Sequence, residues 1–234
     1  MIVIVANQGD ESARLLAARW SEYGALLLSP RDLSTSGWLY NPIATEANAA
    51  VIGRRLICSS EITGVLTRLP WVSQYELTHI VPDDRAYVAS EMNAFLLALL
   101  DGLACPLLNR PTPACLSGPG WRNEQWVHCA ARLRIPVCPV RRQTGRLEGL
   151  PPAGSGSASK IVTVVGHRCF GDAGATLADR ARQLAAAAGV DLLAVHFQDV
   201  NGEFRLLNAD FWPDINSADV ADAIFDYFRE GRLG

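Results

Sequence analysis

The chain has 234 residues, of which 49% are hydrophobic and 19% are charged, and its formal charge is −3. This composition is typical of a globular protein, and it excludes wholesale disorder and a coiled coil. The balance of 21 basic against 24 acidic residues also argues against a dedicated nucleic-acid-binding protein. No stretch is apolar for the roughly 18 residues that a membrane helix needs, and the start lacks the basic segment of a signal peptide. We therefore expect a cytoplasmic protein that binds neither nucleic acid nor membrane.

The six cysteines lack the paired C-x-x-C spacing that is typical of a structural zinc site. Because no export signal is recognisable, we expect reduced thiols, most of them buried, and no metal site.

The first part of the chain alternates between short apolar runs and helical patterns. A strand is predicted at 2–6, then a helix capped by Asp10, then a second buried strand at 25–28. A strand, a helix and a strand joined by short loops form a βαβ unit, which implies a parallel sheet. Further strands are predicted at 56–58, 64–67, 106–108 and 135–138, and helices at 86–100 and 121–132. Most of the segment 37–56 lacks periodicity and gives no firm prediction.

A change in amino-acid composition marks the expected domain boundary. Residues 143–159 are dominated by Gly, Pro, Ser and Ala, which predicts a flexible linker. The region 160–234 then has strands at 161–165 and 192–197, a helix at 173–188, a hairpin turn at Asn201-Gly202 and a final helix from Ser217. The fold class is thus α/β, with an open parallel-sheet domain at 1–142 followed by a smaller α+β domain.

Polar residues follow three of the predicted parallel strands. The loop from Asn7 to Asp10 follows the first strand, Arg68 a later one, and Asn109 and Arg110 another. In open α/β sheets ligands bind beyond the carboxyl ends of the strands, so these loops should converge on one edge and bind an anionic group. The alternative is that Arg68 pairs with a structural acid such as Glu91, while Arg110 lies in solvent. No phosphate loop or nucleophile motif is present, so we expect no catalytic residue from these patterns.

The order of the elements resembles a known family. A helix bearing Glu91 leads to Leu107-Leu108-Asn109-Arg110-Pro111, and Arg122-Asn123-Glu124-Gln125-Trp126 leads to Ile135-Pro136-Val137. This order resembles the N-terminal domain of ATP-grasp ligases of the ribosomal-protein glutamate ligase and peptide-macrocyclase type. The strand at 161–166, the helix at 173–188 and the hairpin at 193–208 are similar to the end of the same family. The resemblance implies a pre-ATP-grasp-like domain followed by a truncated ATP-grasp-like domain.

The departures from the family decide the expected activity. Only 143–159 stands where the family has the central lobe that bears its nucleotide-binding lysines. His196 stands where the first metal-binding Asp is usual, and Leu206 replaces the Glu of the E-x-N motif, which leaves Asn208. Phosphoryl transfer depends on such electrostatic groups, so the resemblance implies a non-catalytic protein without a metal or cofactor.

That protein would bind a peptide, a small anionic ligand or a partner enzyme in a peptide-modification or cofactor-biosynthesis pathway, and a homo-oligomer stays open. One alternative is an ATP-dependent carboxylate–amine ligase with an atypical nucleotide site for Mg-ATP. Another is an unrelated α/β enzyme, including one with a cysteine nucleophile.

Overall fold

The computed structural model describes residues 1–43, 48–139 and 158–231. The chain divides into two compact units, one formed by Met1–Gly120 with Asp214–Gly234 and the other by Trp121–Pro213. This division differs from the predicted 1–142 and 160–234 at both ends. The predicted linker lies outside the described residues up to position 157.

The first unit contains the predicted parallel sheet. Its four strands run in the order β2–β1–β5–β6, and every pairing between neighbours is parallel. A separate antiparallel hairpin pairs β3 with β4; β4 confirms the strand predicted at 56–58, whereas β3 lies in the segment that the sequence left without a prediction. The elements of this unit are β1 (Ile2–Val5), α1 (Glu11–Arg19), β2 (Leu26–Leu28), β3 (Ala49–Ile52), β4 (Arg55–Cys58), β5 (Gly64–Thr67), α2 (Arg85–Asp101), β6 (Leu107–Leu108) and α5 (Ala218–Glu230).

Both faces of the parallel sheet are buried. All four residues of β1 are at most 5% exposed, although successive side chains point to opposite faces. On one face Val3 and Val65 belong to the same core cluster as Leu96 of α2. Gly64 of β5 lies directly against the ring of Phe228 in α5. The final helix therefore belongs to the first unit, which explains why the predicted C-terminal boundary was displaced.

The second unit is an antiparallel sheet with helices on one face. Its strands run in the order β10–β9–β7–β8, and the turn between β9 and β10 is the predicted Asn201-Gly202 pair, with both residues at positive φ. Leu206 of β10 donates its N–H to Pro136 O, and Cys138 N donates to Leu206 O, so the segment before the predicted linker also belongs to this unit. The elements are α3 (Asn123–Arg132), β7 (Ser159–Val165), β8 (Arg168–Phe170), α4 (Gly174–Ala188), β9 (Leu192–Val200) and β10 (Glu203–Asp210).

The core of the second unit lies between this sheet and its helices. Val164, Val195 and Phe197 on the sheet share one buried cluster with Trp126 of α3 and Leu184 of α4. The opposite face carries more polar side chains, among them the half-buried His196. Within the described ranges, no helix has the length and hydropathy that crossing a membrane requires.

Candidate functional site

The carboxyl edge of the parallel sheet brings together the loops that the sequence singled out. Val5 is the parallel partner of Thr67, and Leu66 is the parallel partner of Leu108. The loop after β1, Arg68 after β5 and the residues after β6 therefore leave the sheet at the same edge, as the predicted parallel sheet implied. In folds of this kind that edge is where ligands bind.

Arg68 makes a buried ion pair at this edge, and its partner is Asp10. Arg68 Nε lies 2.8 Å from Asp10 Oδ2, and the two side chains are 6% and 15% exposed. The other oxygen, Asp10 Oδ1, accepts a hydrogen bond of 2.9 Å from Ala13 N and so caps α1, as the sequence predicted. The alternative in which Arg68 pairs with a structural acid is met, although the acid is Asp10 of the adjacent loop rather than the example given, Glu91. Any anionic ligand would have to compete with Asp10 for this guanidinium.

The remaining predicted residues differ in how accessible they are. Asn109 is 3% exposed, and its Nδ2 donates to Ser117 O over 3.3 Å. Arg110 is exposed, so it is the member of the predicted set that presents its charge to solvent. The side chain of Asn7 hydrogen-bonds Glu76, a carboxyl group whose pKa burial raises.

Three buried oxygens in the first unit are not explained by any sequence pattern. Asn7 Oδ1, Thr67 Oγ1 and Ser117 Oγ are inaccessible and, among the described residues, have no hydrogen-bond partner. Buried polar groups are normally paired. Asn7 lies just after β1, and Thr67 is the last residue of β5, so both are at the carboxyl edge. Ser117 is linked to that edge through its hydrogen bond from Asn109. Only Asn7 had a signal in the sequence, since it lies in the loop after the first predicted strand.

A β-bulge determines which side chains of the second unit share a face. On β10 the register with β9 shifts between Leu206, which opposes Phe197, and Asn208, which opposes His196. Because successive strand residues point to opposite faces, Leu206 lies on the core side with Phe197, and it is fully buried. The resemblance matched Leu206 to the Glu of the E-x-N motif, and that correspondence stays a prediction. In the structure the residue that shares the face of His196 and Asn208 is Asp210.

His196 and Asp210 form a hydrogen-bonded pair on this face. His196 Nε2 lies 2.8 Å from Asp210 Oδ2, and the side chains are 31% and 35% exposed. Trp212 N donates to the other oxygen, Asp210 Oδ1, over 2.8 Å. Burial alone would raise the pKa of Asp210, but the hydrogen bonds from His196 and Trp212 N and the charge of His196 hold that pKa below its ordinary value. Both oxygens of this carboxylate are therefore engaged by the protein.

This arrangement does not fit a magnesium–nucleotide centre. Mg²⁺ is usually held by one or two carboxylates in near-octahedral oxygen geometry, whereas the Asp210 carboxylate is shared with an imidazole. Within the part of the chain that the structure describes, no group of three or more His, Cys, Asp or Glu side chains is arranged to hold a metal.

The cysteines show no sign of an activated nucleophile. All six are free, but only Cys115 and Cys138 are buried, and Cys58 is exposed, so the expectation of mostly buried thiols was too strong. Burial raises the pKa of five of them, which disfavours the thiolate that nucleophilic chemistry needs; these are Cys105, Cys115, Cys129, Cys138 and Cys169.

No family model matches the sequence, and no curated protein matches it either. Solved structures do match over nearly the whole chain. The macrocyclase MdnC from Microcystis aeruginosa, bound with precursor peptide MdnA, aligns with a TM-score of 0.71 at 13% identity over 98% of this chain and 99% of that one. An ATP-grasp ligase of Chryseobacterium gregarium, described as RiPP-associated and in complex with ADP and a leader and core peptide, gives 0.69 at 8% identity over 98% and 96%.

A RimK domain protein of the ATP-grasp type from Sphaerobacter thermophilus gives a TM-score of 0.51 at 14% identity over 100% of this chain and 99% of that one. At such low identities the likeness shows the fold. The predicted resemblance is confirmed at that level, and the fold of this chain is that of the ATP-grasp-like ligases.

Proposed function

We propose that this protein is a non-catalytic member of the ATP-grasp fold that binds a peptide in a peptide-modification pathway. The peptide is suggested by the structural neighbours, two of which were solved with precursor or with leader and core peptides. The loss of catalysis rests on the pairing of His196 with Asp210 on the open face of the antiparallel sheet.

The His196–Asp210 pair argues against phosphoryl transfer for an electrostatic reason. Enzymes that move a phosphoryl group stabilise its charge with metal ions held by carboxylates, and this positioning supplies most of the catalysis. Asp210 is the only carboxylate at the two strand positions that face His196, where the other is Asn208. A carboxylate that already accepts from His196 and Trp212 offers little to a metal ion.

The peptide site that we propose lies at the carboxyl edge of the parallel sheet. Arg110 is exposed there and supplies a guanidinium for a peptide carboxylate. The Arg68–Asp10 pair fixes the adjoining loops, and the buried Asn109 anchors the loop after β6 through its bond to Ser117 O. In this arrangement Arg68 positions the edge, and Arg110 is the residue that contacts the ligand.

Calorimetry with Mg-ATP tests the loss of catalysis. We expect no heat of binding for Mg-ATP at concentrations where a micromolar complex would saturate. A micromolar dissociation constant would overturn the proposal in favour of a ligase with an atypical nucleotide site.

Selection from a displayed library of random 12-residue peptides tests the peptide site. We expect binders enriched in Asp and Glu, and Arg110→Ala should weaken their binding by about 1.5–3 kcal/mol, the range for hydrogen bonds to charged groups. Arg14→Ala is the matched control, because Arg14 is exposed on α1 and its loss changes the net charge equally. Equal weakening by both variants, or none by either, would refute the site.

A further inference from the structure

A polar cavity of about 430 Å³ lies in the first unit, apart from the edge residues discussed above. It opens beside the loops that follow β1 and β2, at the end of the parallel sheet where folds of this kind bind ligands. Its lining combines two arginines, two hydroxyls, an amide, an imidazole and one carboxylate. These belong to Arg31, Arg54, Ser34, Thr35, Gln8, His79 and Asp32.

Hydrogen bonds hold the walls of this cavity together. Asp32 Oδ2 accepts from Ser29 N and Ser29 Oγ over 2.9 and 2.8 Å, and Asp32 Oδ1 accepts from Gly53 N over 3.1 Å. Asp32 thereby ties the loop after β2 to the β3–β4 hairpin. Ser34 Oγ lies 2.8 Å from His79 Nε2, which ties the same loop to a third segment. Such preorganisation lowers the conformational entropy that binding a ligand would cost.

The β3–β4 turn gives Arg54 an unusual backbone. Ile52 pairs with Arg55, so the turn consists of Gly53 and Arg54, and their φ angles are 56° and 64°. Two positive φ angles define a turn that favours Asn-Gly or Asp-Gly, and a long side chain at the second position is disfavoured. Residues held in sparsely populated regions cluster at functional sites. Arg54 thus has a side chain that faces the cavity despite a backbone that would favour glycine.

The charges of the cavity favour an anion. Arg31 and Arg54 are exposed, and within the described ranges neither guanidinium makes a hydrogen bond or an ion pair. The Asp32 carboxylate is engaged by three donors of the cavity wall. Two guanidinium forks with nearby hydroxyls suit an oxyanion that has several oxygens to share among them.

We propose that this cavity binds a phosphate group, either free or as an ester, between Arg31 and Arg54, with Ser34 and Thr35 as hydroxyl donors. The proposal does not depend on peptide binding at Arg110 or on the loss of Mg-ATP chemistry. Arg110→Ala should leave phosphate binding unchanged, so each proposal can fail without the other.

Phosphorus NMR and calorimetry with inorganic phosphate and with O-phosphoserine test this site at low salt. Two charge-assisted contacts correspond to a dissociation constant of about 1 mM, and we expect at least one probe to reach it. Tighter binding of O-phosphoserine identifies an ester as the ligand, and tighter binding of inorganic phosphate identifies the free ion. Failure of both probes to bind at tenfold that concentration, or equally tight binding of succinate, overturns the proposal.

Substitutions then locate the site. Arg31→Gln and Arg54→Gln should each raise the dissociation constant about tenfold or more. Arg55→Gln is the matched control, since Arg55 is the exposed neighbour in the chain but does not line the cavity. Arg54→Gly should weaken binding equally while raising the unfolding temperature, because glycine adopts positive φ without strain. Loss of binding in Arg55→Gln as well, or full binding in Arg54→Gly, refutes the assignment.

Discussion

The Arg68–Asp10 pair predicts how the stability of the fold responds when either charge is removed. The result also decides whether Arg68 has a structural role. Asp10→Asn keeps an oxygen to accept from Ala13 N, so it removes the charge without removing the helix cap. It leaves a cation whose side chain is 6% exposed without its carboxylate. Removing one partner of a buried ion pair typically costs 3–5 kcal/mol, and we expect about 3 kcal/mol here because Asp10 is itself 15% exposed.

Arg68→Met should cost less, about 1–2 kcal/mol. The carboxylate that it leaves behind is more exposed, and it lies at the N-terminus of α1, where the helix dipole favours a negative charge. The double variant should be only about as destabilised as Arg68→Met, since replacing both charges of a buried pair is often nearly neutral. The two single effects should therefore fail to add by about 3 kcal/mol.

Urea unfolding of the four proteins at neutral pH measures this difference, with the m-values compared to confirm two-state behaviour. Single effects that add to within about 0.5 kcal/mol would refute the reasoning, because independent sites behave that way. If the coupling is found, Arg68→Ala is a poor probe of binding, since it alters folding as well, and Arg110→Ala is the better probe.

Two further predictions concern packing and pH. Gly64→Ala would place a Cβ 2.5 Å from Phe228 Cγ, so we expect the free energy of unfolding to fall by about 1–3 kcal/mol and the unfolding temperature to drop. Gly9→Ala is the control, because a Cβ there would meet no atom within 4 Å. An unchanged unfolding temperature in Gly64→Ala would contradict the packing of Phe228 against Gly64. The pKa of Asp210 is lowered in the folded chain, so the folded chain binds a proton at Asp210 less readily than the unfolded chain does. The ionised Asp210 therefore stabilises the fold fully above about pH 4–5, and this contribution is lost as the pH falls through the folded pKa. In Asp210→Asn the free energy of unfolding should fall less between about pH 5 and 3, and parallel pH profiles would refute this.

Local signals in the sequence were sufficient for most of the secondary structure. The Asp10 cap, the Asn201-Gly202 turn and the strand at Gly64–Thr67 each depend on a few neighbouring residues, and each was predicted correctly. The shared edge of the sheet also followed from the prediction that its strands are parallel, because parallel strands place their carboxyl ends together.

Contacts between distant residues could not be read from the sequence in the same way. Phe228 packs against Gly64 although the two residues are far apart in the sequence, and no hydrophobic periodicity predicts this contact. The partner of Arg68 depends on which of several acids the loops bring within 3 Å, and the sequence suggested Glu91 as an example rather than Asp10. The bulge after Leu206 has no composition signal, yet it reverses which side chains face His196. Site geometry was therefore less predictable than the elements that carry it.

Because the final helix belongs to the first unit, that unit cannot complete its fold until late in synthesis on the ribosome. Domains generally fold as they emerge, the N-terminal one first. Here the first unit needs Phe228 to cover Gly64, so it stays incomplete until almost the whole chain has been made. The second unit is continuous in sequence and becomes complete earlier. We therefore expect the second unit to fold before the first. We also expect a chain cut after Gly120 to expose the apolar face of β5 that α5 covers, and to aggregate.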